Sequence, residues 1–154
     1  MSILANGFVG IGTTGPTNRL HVNGGVSATA FVNTSDRNAK ENFVPVNPRT
    51  VLNKVAALPI STWNYKEMRD GRHMGPTAQD FHAAFGLGGS DKTITTVDPD
   101  GVALAAIQGL NELLKEKDKK ITRLEKRLCE LEKTIHELAD KSANGRNHES
   151  SVGF

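Results

Sequence analysis

The spacing of hydrophobic positions changes twice along the chain. Between residues 8 and 32 the apolar residues come in short runs broken by turn formers. Phe8, Val9 and Ile11 precede Gly12-Thr13-Thr14-Gly15-Pro16, and Leu20 and Val22 precede Asn23-Gly24-Gly25. Val26, Ala28, Ala30 and Val32 then alternate with period two. The pattern predicts three short strands joined by tight turns. Each strand carries little apolar surface, so it is marginal alone and gains a core by winding with copies of itself. From Asn47 the period lengthens. Asn47 is a cap, Pro48 a first-turn residue, and Val51, Leu52, Val55 and Leu58 share one helical face that Pro59 ends. Residues 60–65 and 72–78 read as strands, paired as a hairpin through a turn at Arg69-Asp70-Gly71. Residues 79–85 read as a short helix closed by Gly86 and Gly88-Gly89, and residues 93–97 as a brief β-prone run.

A long helix is expected from Asp98-Pro99. Its heptad places Ile107, Leu114, Ile121, Leu128 and Ile135 at a, and Ala103, Leu110, Lys117, Leu124, Leu131 and Leu138 at d. About five heptads of three-four spacing predict a coiled coil. In a parallel, in-register arrangement Lys120 meets Glu125 and Arg127 meets Glu132, both opposite in charge. That favours parallel self-association, although the heptad residues alone leave dimer and trimer open. Lys117 snorkels from its d position, and Cys129 falls at b as a surface thiol. Residues 142–154 are polar and expected to be a disordered tail. The class is therefore α+β. A β-rich stalk end spans residues 1–34, a small mixed α/β domain 35–97, and a coiled-coil helix 98–141.

Composition narrows the partners. The chain has 154 residues, 37% hydrophobic and 5% aromatic, a thin supply for a monomeric core. A net charge of +2, with dispersed basic residues, implies neither nucleic acid nor membrane as partner. One cysteine excludes an internal disulfide framework. Residues 1–12 lack a basic region followed by a long apolar run. No signal peptide is expected, synthesis in the cytoplasm follows, and no stretch is apolar enough to span a bilayer. Because Met1 leads straight into strand-like sequence, the chain reads as the end of something longer.

Two segments invite chemistry. Gly10-Ile11-Gly12-Thr13-Thr14-Gly15 fits a dinucleotide fingerprint by letter, but that motif needs a helix opening at its end, and Pro16 followed by strand-like sequence denies it. No cofactor is expected. His73 and His82 are nine apart with no carboxylate or cysteine in ligand register, so no metal is expected either. The second segment is Thr34-Ser35-Asp36-Arg37-Asn38-Ala39-Lys40-Glu41-Asn42-Phe43. It holds the chain's one plausible nucleophile–base pair, Ser35 and Lys40. A lysine serves as general base to a serine once burial or a neighbouring cation lowers its pKa. On a helix, positions five apart point about 140° away from each other. The pair therefore needs a turn through Asp36-Arg37-Asn38, or a base from a neighbouring chain. The plain alternative is that Ser35 caps a short helix and Lys40 is a solvated charge. Trp63 and Tyr65 are expected to be core residues.

Ser35-Asp36-Arg37-Asn38-Ala39-Lys40-Glu41-Asn42 resembles the start of the endosialidase-type C-terminal intramolecular chaperone, the auto-processing domain of phage tail spikes and fibres, related to a domain of myelin regulatory factor. The stretch from Leu58-Pro59-Ile60 through Trp63-Asn64-Tyr65 looks like that family's central strand. Arg72-His73-Met74-Gly75-Pro76-Thr77-Ala78-Gln79 looks like its His-x-Gly-x-x-Ala-Gln signature. Residues 97–110 resemble its run into the terminal helix. The resemblance implies a homotrimer whose folding client is its own upstream fibre segment. It implies a single cut in cis between Thr34 and Ser35, with Ser35 as nucleophile, Lys40 as base and His73 in support. It also implies a place on a phage virion tail or a bacterial cell surface. Thr77 departs from the large apolar residue common there, and no proline closes the helix after Gln79. The competing reading is a structural trimerisation foot that keeps the fold without cleaving.

Overall fold

In the computed structural model, residues 1–66 and 71–149 are described, with side chains as far as residue 141. The order is β1 (Ser2–Ile3), β2 (Val9–Ile11), β3 (Leu20–Val22), a 3-10 turn (Arg37–Ala39), α1 (Pro48–Ala57), β4 (Ser61–Trp63), β5 (His73–Gly75), α2 (Ala78–Phe85) and α3 (Val97–Glu149). The protein is thus mixed α/β, with two small sheets among the described residues and a long C-terminal helix. The elements form two compact units that interleave in sequence. One comprises Met1–Pro45 and Leu58–Gly86, the other Val46–Ala57 and Leu87–Phe154.

In the first unit, β2 pairs antiparallel with β1 (Ser2 opposite Gly10) and parallel with β3 (Val9 opposite Leu20, Ile11 opposite Val22). The two strands read around Val9 and Leu20 form; the one expected at residues 26–32 does not. Residues 23–36 are irregular, with Phe31 71% and Val32 93% exposed. A period-two stretch with no strand beside it has nothing to bond its backbone to. Ser2–Ile3 takes the third place in the sheet instead. Ser2 Oγ donates to the Thr13 carbonyl at 2.8 Å, and a Cβ on Gly10 would lie 2.4 Å from that same oxygen. The glycine there serves close backbone packing, and no helix follows Gly15.

The same unit contains the expected hairpin, shorter than read. β4 and β5 pair antiparallel with Trp63 opposite His73. Of the turn expected at Arg69-Asp70-Gly71, Arg69 and Asp70 lie outside the described residues. Tyr65 is 52% exposed and Trp63 only half-buried, so within one chain neither is a core residue. Buried Phe81 of α2 lies 5.0 Å from Phe85 between ring centroids. Thr77 caps α2: its hydroxyl accepts from Asp80 N–H at 3.1 Å and donates to the Asp80 carboxylate at 2.7 Å. Gly86 closes the helix in the left-handed region at φ 66.

The second unit is α1 against α3. Asn47 caps α1 through Thr50 N–H at 3.0 Å, and Pro48 is its first residue. Val51, Leu52 and Val55 turn towards α3, which offers the small buried residues Ala105, Ala106 and Gly109. The approach is close: a Cβ on Gly109 would lie 2.4 Å from the Pro48 carbonyl oxygen. Arg49 pairs with Glu116 at 3.3 Å, a partly exposed contact worth at most about 1 kcal/mol. The β-prone run at 93–97 forms no strand. Thr95 is drawn to the start of α3, donating to the Asp98 carboxylate at 2.5 Å and accepting Asp98 N–H at its carbonyl. At its other end α3 reaches Glu149, so residues 142–149 are helical and not the expected disordered tail. Extending a formed helix costs little per residue, whereas starting one is costly. Residues 150–154 of that tail lie outside the described residues.

The heptad residues tell a different story from the small ones. Ile107, Leu110, Leu114, Ile121, Leu124, Leu128, Leu131, Ile135 and Leu138 are 45–63% exposed. Among the described residues the buried hydrophobics are Phe81, Ala105 and Ala106.

Candidate functional site

The segment from Ser35 to Phe43 folds on itself. Asp36 has extended backbone, φ −60 and ψ 135. One of its carboxylate oxygens accepts Asn38 N–H at 3.0 Å and the Asn38 side-chain amide at 3.2 Å. Its carbonyl accepts Ala39 N–H, and the Arg37 carbonyl accepts Lys40 N–H, completing a single 3-10 turn. At Lys40 the backbone is extended again, φ −128 and ψ 152. An extended pair five positions apart would be separated by about 16 Å. The turn instead brings the side chains together, and Lys40 Nζ donates to Ser35 Oγ at 2.6 Å. The turn thus lets Lys40 meet Ser35 within one chain. The cap of the turn is Asp36, not Ser35, which leaves the serine hydroxyl to Lys40.

Beyond the turn, Asn42 takes the left-handed conformation at φ 56, which asparagine tolerates better than most residues. The Arg37 guanidinium then lies 5.8 Å from the centroid of the Phe43 ring. Both Ser35 and Lys40 are exposed in the single chain.

His73 sits on β5, half-buried. Its ring stacks on Trp63 at 4.9 Å and meets the edge of Tyr65 at 5.4 Å, while Trp63 and Tyr65 are 5.0 Å apart. Arg72 donates to the Thr62 hydroxyl at 2.5 Å, and the Asn64 amide donates to the Gly71 carbonyl, tying the two strands beside the cluster. The three aromatic rings come together because Trp63 and His73 face each other across the ladder and Tyr65 lies two residues on, on the same side. Among the described residues no three His, Cys, Asp or Glu side chains gather as a metal site, and Cys129 is exposed. No described helix is long and apolar enough to cross a membrane.

Three participants were not singled out from sequence: Asp36 as the cap, Asn42 as the left-handed residue and Thr77 as the cap of α2. The first had a signal, since an aspartate two residues before an asparagine in a turn-forming run is a side-chain-to-backbone turn in waiting. Thr77 stands where the resembled family carries a large apolar residue, and its capping bonds give the departure a physical reason.

With this geometry established, comparison places the segment. Residues 35–87 match the family model described as chaperone of endosialidase, whose name also classes it as a peptidase family. The match begins at Ser35 itself and takes in the turn, the β4–β5 hairpin and α2. No curated protein matches the chain.

Proposed function

We propose that the chain is a self-cleaving intramolecular chaperone. It assembles as a homotrimer, folds an upstream fibre or spike segment of its own polypeptide, and then cuts itself off between Thr34 and Ser35. The observation that carries this reading is the 2.6 Å contact between Ser35 Oγ and Lys40 Nζ at the first residue of the family match. Ser35 Oγ attacks the Thr34 carbonyl carbon and gives its proton to the neutral Lys40 amine. The peptide C–N bond breaks, the Ser35 nitrogen takes up a proton, and Thr34 is left as an ester on Ser35. Water then hydrolyses the ester, yielding a Thr34 carboxylate and a free Ser35 amino group. The reaction is single-turnover and in cis. His73 plays a supporting part through orientation, oxyanion stabilisation or structure.

The base must first lose its own proton. An ordinary lysine has a pKa of about 10.4, and poising one near 7 takes roughly 4–5 kcal/mol of differential desolvation. Ser35 and Lys40 are both exposed in one chain, and assembly is what buries them. The bare heptad positions of α3 support such assembly as a parallel coiled coil, with Lys120–Glu125 and Arg127–Glu132 pairing between chains. Assembly thereby switches the base on, so only correctly folded fibres are cut. We place the protein on a phage tail or bacterial surface fibre.

The same exposure favours the second reading, a trimerisation foot that does not cleave. Intact mass of the purified chain beside Ser35→Ala separates the two. The autoprotease gives a 34-residue and a 120-residue piece (154 − 34), with the variant whole. A foot leaves both at full length.

A further inference from the structure

The geometry points to Asp36 as the positioning residue of the cleavage reaction: its carboxylate, by capping the 3-10 turn, sets the separation of Ser35 and Lys40. The inference rests on the cleavage reading above and goes further, to the residue on which the pair's geometry depends. The pair is separated by five positions, a spacing at which neither a helix nor a strand brings two side chains together. Everything that joins Ser35 to Lys40 is the turn between them. Two backbone bonds hold that turn, from Ala39 N–H to the Asp36 carbonyl at 3.1 Å and from Lys40 N–H to the Arg37 carbonyl at 3.2 Å. Both are long, as 3-10 bonds commonly are. The third support is the Asp36 carboxylate, which takes Asn38 N–H and the Asn38 side-chain amide on one oxygen.

A turn of three residues has no cooperativity to fall back on. All of residues 31–47 are exposed in the single chain, so its own tertiary packing does not hold the segment in place. The cap therefore governs how often Ser35 Oγ lies within reach of Lys40 Nζ. The role belongs to the carboxylate as a hydrogen-bond acceptor and not as a charge. Asparagine and serine cap about as well as aspartate, alanine does not, and glutamate is a poor cap although it keeps the charge.

The test is the rate of chain scission in the full-length protein, followed by intact mass, for the wild type, Ser35→Ala, Asp36→Asn and Asp36→Ala. Native mass and helical content are recorded for each. Asp36→Asn should cleave within about 2- to 3-fold of wild type. Asp36→Ala should slow about 5-fold, within the 2- to 30-fold span that loss of such a cap commands, at unchanged oligomeric state. Should Asp36→Ala fail to fold, Asp36→Ser and Asp36→Glu carry the same contrast: serine keeps the cap without the charge, glutamate the charge without the cap. Rescue by asparagine or serine is a signature that a merely electrostatic role would not give. Cleavage of Asp36→Ala at the wild-type rate overturns the inference while the Ser35 reading stands. So does a loss in Asp36→Asn as large as in Asp36→Ala. If the wild type stays as whole as Ser35→Ala, the cleavage reading fails first and the inference falls with it.

Discussion

Two faces of α3 are apolar, and they are built to different rules. The face turned to α1 is made of small residues, Ala105, Ala106 and Gly109, and it is finished within one chain: the backbones approach until Gly109 has no room for a methyl group. The heptad face carries Leu and Ile over most of the helix and stays half exposed. Small residues allow a short helix to lie close, but they bury little apolar area. Branched residues at heptad spacing bury much more, and they need another helix of equal length to do so. The first face makes a unit; the second is the one on which the assembly proposed above rests.

Substitutions at the two faces should therefore differ in kind. Charging the heptad face with Leu124→Asp and Leu128→Asp together should abolish association, reducing native mass to that of one chain, because an aspartate at a buried heptad position is an unpaired charge in a closed seam. A double variant that still associates as the wild type does would mean that the seam is not the interface. Gly109→Ala should act more mildly. It forces α1 away from α3 and should cost about 1–3 kcal/mol in thermal or denaturant unfolding while leaving subunit number unchanged. If Gly109→Ala instead altered subunit number, the two faces would not be independent.

The contrast also explains what could be read in advance. Helices announced themselves through their ends. Asn47-Pro48 and Pro59 bracket α1, Asp98-Pro99 lies in the first turn of α3, and Gly86 ends α2. These signals are local, and so they survive whatever the rest of the molecule does. Strands were less legible because a strand is defined by its neighbour. Residues 26–32 have the alternation without a partner, whereas Ser2–Ile3 has almost no pattern and gains strand geometry from pairing with Val9 and Gly10. Thr93 to Val97 shows the same competition, resolved when Thr95 bonds to the first turn of α3.

At the site, residue types marked Ser35 and Lys40, and their spacing demanded a turn; which side chain would hold that turn was not foreseen. Asp36 does, because its carboxylate reaches the N–H two residues on. His73 was a candidate through resemblance alone. Its setting against Trp63 and Tyr65 is a cross-strand effect, and the register that creates it is a tertiary fact.

The central claim is that cleavage waits for assembly, and one measurement addresses it directly. Single-chain and assembled species, separated by native mass from freshly made protein at a series of concentrations, are each followed for scission between Thr34 and Ser35. The account predicts that the assembled species is cut and the single chain remains whole until it associates. A single chain that cleaves as fast as the assembled form would contradict it.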